Sequence, residues 1–367
     1  MRNTTYATFA IVLSACTFQV QAAPTWTIQD VGLAPGSVLS TDLNDKGQFM
    51  VTVHFFNDED SFNRPYYGSG STALTALDHL PGQGSTRAYT INNNGQIVGV
   101  SGQIGSPVGQ VTTWQFGSSA GTGLNATGND ARGNNNGLIA FRHDNHTIST
   151  IQNGTVNSTA LQGQQSVAAY VFTALNDENQ IVVYDLEAGD DAGRIAHVVY
   201  DLDSNGPLNY DDPITFGNQD FAAGLNNNGE STGNHRDEVP FRAYAYPSDT
   251  LLAPADGAFA STANDLNDAG QIVGWSDSLF DVIPTLWQDD GQVIDLQLAS
   301  NADELGWDLN QAFAINNKGQ VLGWGIVDFQ THFYLLTPVP EPETYAFMLG
   351  GLGLMVWLRR RNKRCDA

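Results

Sequence analysis

Hydrophobic and polar positions recur along this chain in one arrangement: an apolar residue, Asn, two further residues, Gly, Gln, then a short β-branched run that ends in Gly. The fullest copy is Leu266 to Ser276, and six others begin at Leu43, Ile91, Gly133, Leu175, Leu225 and Ile315. The anchors Asn44, Asn92, Asn134, Asn176, Asn226, Asn267 and Asn316 follow one another at spacings of 48, 42, 42, 50, 41 and 49 residues. Self-similarity at such a period marks a repeat architecture.

Each copy predicts a β-hairpin. An apolar residue and Asn end one strand, Asn caps the turn, and Gly47, Gly95, Gly137, Gly229, Gly270 or Gly319 supplies a residue with positive φ, which Gly adopts at little cost. Gln-Ile-Val-Gly or its equivalent then begins the next strand. Copy four has Asn179 in the Gly position, a tolerable exchange because Asn enters the left-handed region more easily than most residues. Copy three, without the apolar start and the Gln, is the weakest.

Copy six yields four strands, Ser261 to Leu266, Gln271 to Ser276, Thr285 to Gln288 and Gln292 to Leu296, the content of one propeller blade. Copy two repeats the order with Thr86 to Ile91, Gln96 to Ser101 and Gln110 to Phe116, then a weak fourth, and in copy four Arg194 to Leu202 is the third strand. Copy seven supplies Ala312 to Ile315, Gln320 to Trp324 and His332 to Leu336 but no fourth, whereas Trp26 to Val31 precedes copy one as a fourth strand without a blade. The chain is therefore expected to be all-β, a seven-bladed propeller of ~45-residue repeats whose N-terminal strand completes the last blade and leaves few open edges. An open β-solenoid is the alternative.

The repeats resemble those of the HAF-repeat extracellular family. The matching residues are Leu266 to Trp275 with Thr285-Leu286-Trp287, and Ile315 to Trp324 with His332 to Leu335. The resemblance spans roughly residues 26 to 338 and is poor in copies three and five, where Glu230-Ser231-Thr232 breaks the apolar run. It implies an extracellular repeat protein and no particular reaction.

The ends describe export. Residues 1–22 read as a secretory signal: Arg2, an apolar run from Ala7 to Ala15, then Val20-Gln21-Ala22 before Ala23. Leu13-Ser14-Ala15-Cys16 also fits a lipobox, which would make Cys16 a lipidated terminus. Residues 23–338 form the repeat region. In 339–364, Pro340-Glu341-Pro342 precedes a hydrophobic helix at 345–358 and a basic cluster at 359–364, with Arg359, Arg360 and Arg361 at its start. Fourteen residues give a helix of about 21 Å, short for a bilayer span, which suits transient inner-membrane anchoring; the basic residues would keep the tail cytoplasmic. This tail resembles the PEP-CTERM sorting signal. The resemblance implies an exosortase-type transpeptidase as partner, cleavage near Pro340-Glu341-Pro342, and delivery to the surface or extracellular matrix of a Gram-negative bacterium that makes exopolysaccharide. An ordinary tail anchor is the plainer alternative.

Charge narrows the partners. Six of the 15 basic residues lie in the signal and tail, so nine face 36 acidic ones elsewhere and the repeat region carries a net charge near −27. Such a charge repels nucleic acid and anionic lipid. With Cys16 and Cys365 confined to the ends, the repeats have no disulfide or thiolate site. Loops between second and third strands hold Asp58, Glu59, Asp60, Glu187, Asp190, Asp191, Asp237, Glu238, Asp277 and Asp281. They predict an acidic rim on one face, either a surface for divalent cations or a cationic glycan, or plain solvated loops.

Asp201, Asp203, Asn205 and Asp212, with Gly206 sixth in the loop, have the spacing of an EF-hand-type Ca²⁺ loop, or form a bare hairpin turn like Gln288 to Gly291. Ca²⁺ is thus the one cofactor suggested. The seven histidines are scattered, His143 and His146 lie three apart without an apparent third ligand, and no nucleophile elbow, zincin or phosphate-loop motif is present. Acidic pairs such as Asp211-Asp212 identify no glycosidase by themselves. Trp114, Trp275, Trp287 and Trp324 are expected in the core, and the Asn-x-Ser/Thr sites at Asn125, Asn145, Asn153 and Asn157 read as turn chemistry. The expectation is a non-catalytic binding or structural component of the envelope or exopolysaccharide matrix. The alternative is a propeller lyase or glycosidase acting on extracellular polysaccharide.

Overall fold

The computed structural model describes residues 25–56, 61–106, 108–143, 147–160, 170–185, 196–203, 206–207, 214–215, 221–235, 241–248 and 250–339. The expected signal at 1–22 and the tail from Pro340 onward lie outside them. Among the described residues no helix is long and apolar enough to cross a membrane.

The architecture is all-β and propeller-like. The sheets are antiparallel meanders in which consecutive strands are neighbours, except that the N-terminal strand joins the last sheet and Ile214–Thr215 pairs with Ala196–Asp201. Copy one gives Ser37–Leu43, Gln48–Phe56, Ser61–Ser69 and Thr72–Ala76; copy six gives Ala260–Leu266, Ile272–Asp277, Val282–Trp287 and Val293–Asp295. Copy five is likewise four-stranded, and copy four has five strands with Ile214–Thr215 paired to Ala196–Asp201. In each copy the first strand is innermost, facing a central channel. Apolar clusters fill the space between successive sheets, as where Met50 and Tyr67 of copy one pack with Ala88, Ile91, Ile97 and Trp114 of copy two.

Two boundaries differ from expectation. The weak fourth strand of copy two is instead a 12-residue strand, Thr122–Gly133, that runs on as the first strand of copy three and joins both copies in one seven-stranded sheet. Its Gly, Asn and Thr content hid it, because pairing to Gly109–Gln115 and Ile139–Arg142 rather than its own propensity holds it. In copy six, Leu296 begins a short helix, Leu296–Ala299, since the Asp295 side chain accepts hydrogen bonds from the backbone N–H groups of Gln297 and Leu298 and caps it.

The N-terminal strand, Trp26–Leu33, pairs antiparallel with Gln330–Pro338, from Trp26 opposite Pro338 to Leu33 opposite His332. It thereby becomes the outer strand of the sheet built by copy seven. Trp26 is buried, and its Nε1 donates to the Gly319 carbonyl in that copy's turn at 3.3 Å.

The innermost strands share a device that the sequence does not advertise. Register slips at one residue three places before the anchor in copies two, four, five, six and seven, at Tyr89, Thr173, Ala223, Asn264 and Phe313. Each is a β-bulge that turns an extra residue toward the channel. The partner strand accommodates it with Gly. A Cβ at Gly99, Gly274 or Gly323 would collide with the carbonyl oxygen of Arg87, Thr262 or Gln311, so the second recurring Gly of the motif permits close backbone approach.

Candidate functional site: the anchor circuits and the central channel

Each anchor asparagine is buried, between 3% and 7% exposed. Its Oδ1 accepts the backbone N–H groups two and four residues on, as Asn267 does from Ala269 (3.1 Å) and Gln271 (3.0 Å). One Nδ2 hydrogen reaches the side chain four residues on: Asn44 to Gln48, Asn176 to Gln180, Asn267 to Gln271 and Asn316 to Gln320, with Glu230 serving Asn226. The other reaches the backbone carbonyl of the next anchor. Asn44 donates to Asn92, Asn92 to Asn134, Asn134 to Asn176, Asn176 to Asn226, Asn226 to Asn267 and Asn267 to Asn316. Asn316 then donates to the Asn44 carbonyl at 2.9 Å and closes the circle, which excludes an open solenoid. The motif's Asn and Gln are therefore one hydrogen-bonding unit, and every polar group of the Asn is satisfied.

Copy three tests this reading, because Leu138 stands where Gln is expected. There Asn134 Nδ2 donates instead to Asn179 Oδ1 at 2.9 Å. Asn179 is the residue that replaces Gly in copy four and sits at φ 57°. Two departures from the pattern, in different copies, thus complete each other.

A second circle lies one residue beyond the first. The backbone N–H groups of Asp45, Asn93, Asn135, Asp177, Asn227, Asp268 and Asn317 each donate to Oδ1 of the next member, and Asn317 donates to Asp45 at 2.9 Å. Amides and carboxylates are interleaved so that Asn93 donates to Asp45, Asn135 to Asp177, and Asn227 and Asn317 to Asp268. These residues form the mouth of the central channel, a cavity of ≈ 560 Å³.

Deeper in the channel, the residue two places before the anchor reaches between copies. Asp42 accepts from the Ile91 N–H at 2.6 Å, Thr90 from Gly133 at 2.9 Å and Asp265 from Ile315 at 2.9 Å. Burial pushes the Asp42 carboxyl up to about 6 and that of Asp265 up to about 8, with Asp42 adding repulsion to Asp265. Of the two, Asp265 holds its proton more tightly. On the copy two and three side, the Arg132 guanidinium lies 5.0 Å from the Tyr89 ring centroid, and burial raises the Tyr89 hydroxyl to about 12. Trp275, Gln311 and Phe313 line the opposite side. The channel offers carboxyl, amide, one guanidinium and aromatic surface, a combination that suits a small polar ligand.

Other predicted residues fall elsewhere. Trp114 and Trp287 are core residues, donating from Nε1 to the carbonyls of Asp78 and Ala253. Trp275 instead lines the channel, and Trp324 is half-buried with its Nε1 donating to Gln311 Oε1 at 3.2 Å. Asp203 donates its backbone N–H to Asp201 Oδ1, at the end of the strand Ala196–Asp201, and accepts from Asn179. Asn205 and Asp212 lie outside the described residues, as do Asp58, Glu59, Asp60, Glu187, Asp190, Asp191, Asp237, Glu238, His146 and Pro340, Glu341, Pro342, Arg359, Arg360 and Arg361. Among the described residues no three His, Cys, Asp or Glu side chains are placed to hold a metal. His332 pairs with Asp30 at 2.9 Å across the two ends of the repeat region.

Sequence reasoning missed the buried hydroxyls that tie copies together. Thr52 exchanges hydrogen bonds with the Ala88 backbone, and Ser261 Oγ accepts from the Ala243 N–H. Their signal was the Thr or Ser at matching places in several copies, which β propensity alone accounts for equally well.

Fold and tail together define a β-propeller-like head joined to a sorting segment. Residues 338–364 match the PEP-CTERM protein-sorting motif, the mark of an exported, surface-sorted protein. No curated protein matches the chain in sequence. Among solved structures, one described under the structural and mechanistic analysis of two prolyl endopeptidases shares 9% identity at a TM-score of 0.52, covering 84% of this chain and 51% of that one. The Dos1 propeller shares 9% identity at 0.43, covering 85% and 95%. The Porphyromonas gingivalis dipeptidyl peptidase 4 shares 10% at 0.46, covering 83% and 52%. The likeness is one of fold.

Proposed function

We propose that this protein is a seven-bladed propeller with HAF-like repeats, sorted to the cell surface and working there as a non-catalytic binding or structural component of the envelope or exopolysaccharide matrix. Its domains are then a signal at 1–22, the propeller at 23–338 and the sorting segment at 339–364, which an exosortase-type transpeptidase of a Gram-negative host processes. The observation that carries the reading is the position of the sorting motif: it begins at residue 338, the end of the strand to which the N-terminal strand is paired. The ring is thus complete where the tail starts, and processing in the tail releases it intact.

Truncation after Val339 in an exosortase-bearing host tests this. The truncated protein is expected in the soluble exported fraction and the full chain at the surface; equal surface attachment of both would overturn the sorting role. A reducing-end assay on exopolysaccharide tests the non-catalytic part: new reducing ends abolished by a single carboxylate substitution in the channel would replace it with a polysaccharide-cleaving enzyme.

A further inference from the structure

The last strand of copy seven and the second strands end on opposite faces of the ring. Third strands run in the same direction as first strands, so Gln330–Pro338 ends on the face of the anchor turns, where the Val339 N–H donates to the Thr25 carbonyl at 2.8 Å. The second strands of copies six and seven consequently end on the face opposite Val339.

On that far face, copies six and seven each expose aromatic and acidic residues. The loop after Ile272–Asp277 carries Leu279 and Phe280 at 81% and 97% exposure, followed by Asp281. The two-residue turn of copy seven consists of Asp328 and Phe329, with Phe329 102% exposed. Asp308 links the two loops: it pairs with Ile326 just before that turn, and burial together with the nearby Asp281 and Asp303 raises its carboxyl.

Folding does not account for Phe329. Both turn residues have positive φ, 50° and 61°, where Asn-Gly is favoured and a bulky ring is an outlier. The ring touches too little of the protein to offset that cost, and a local rule broken without a gain in packing marks a functional position. Phe280 is similarly free of the core.

We propose that this patch docks a polycationic glycan, a polymer whose sugar rings carry free ammonium groups. The inference rests on the surface-displayed binding role above and names its ligand class. The carboxylates of Asp281, Asp308 and Asp328 supply charge complementarity, within a repeat region of net charge near −27. The exposed rings offer faces to ammonium groups and to the flat apolar faces of sugars. Two separated rings on loop tips suit a thin chain better than a protein partner, whose interface needs on the order of 1,000 Å² of packed surface. The face carrying them lies opposite the one on which Gln330–Pro338 ends.

The test is calorimetry of the full chain with a fully deacetylated glucosamine oligomer, its N-acetylated counterpart and polylysine. Binding of the deacetylated oligomer is expected, weakening as salt shortens the screening length from about 10 Å to about 3 Å. Phe280→Ala combined with Phe329→Asn should lower affinity about tenfold or more with the circular dichroism spectrum unchanged, a loss of about 1.4 kcal/mol or more. Asp281→Asn with Asp328→Asn should lower it with the rings intact. No binding of the deacetylated oligomer, equal binding of the acetylated one, or polylysine binding as tight as the glycan's would each overturn the proposal. Surface display without glycan binding would sink this inference alone, whereas glycan binding without display would sink only the sorting role.

Discussion

At the residue scale, the anchor asparagine is the unit on which the ring depends. Asn267 makes four hydrogen bonds while 3% exposed. At about 1 kcal/mol for each bond, with added cost for partners left buried, Asn267→Ala should destabilise by about 3 kcal/mol or more, read as the midpoint shift in urea. Asn267→Asp should be at least as damaging at neutral pH, since it sets a carboxylate against the Asn316 carbonyl, and the damage should ease on acidification. The paired departures at Asn134 and Asn179 give a sharper forecast. Asn179→Gly, favourable for a residue at φ 57°, should nevertheless destabilise because Asn134 loses an acceptor. Leu138→Gln added to it should recover part of the loss; additive effects of the two changes would refute the coupling. The Asn-x-x-Gly-Gln spacing was legible in the sequence as a turn, but the reason for Gln was not. A side chain four residues on looks like a strand residue until the carbonyl of the next copy is in view.

At the scale of the strand, the bulge turns a repeat into a channel wall. Two places before the anchor, Asp42, Thr90 and Asp265 each accept an N–H from the following copy, and the two carboxyls are buried. Folding raises the affinity of Asp42 and Asp265 for protons above the ordinary 3.8, to about 6 and about 8. The stabilisation is therefore fully present below pH about 4, is lost as pH climbs through these values, and levels off above about 8. Asp265→Thr, which borrows the Thr90 solution from copy two, should flatten the fall in melting temperature between pH 6 and pH 8; an unchanged slope would mean that Asp265 is not the titrating group. Strand existence was readable from the β-branched runs in most copies. The long strand Thr122–Gly133 was not, because partners on both sides rather than composition hold it.

At the scale of the whole molecule, closure distributes stability around the ring. Its two ends meet in the pairing of Trp26–Leu33 with Gln330–Pro338, and Trp26 joins the cluster of Trp307, Tyr334 and Leu336. Deleting residues 24 to 32 should expose the edge of the last strand, uncover that cluster and lower the melting temperature by 10 °C or more, on the order of several kcal/mol of lost burial. A truncation that melts with the full chain would mean that the first strand closes nothing.

The sequence by itself determined the repeat, its hairpins, the sorting tail and the N-terminal strand as a piece lacking its own sheet, because these are written in local spacing and turn chemistry. It did not determine the twin hydrogen-bond circles, the inward turn of Trp275, the acid pair in the channel wall or the placing of exposed Phe280 and Phe329 on one face. Those arise between residues separated by one repeat length or more, and whether a carboxyl is buried or a ring is exposed depends on which neighbouring copy covers it.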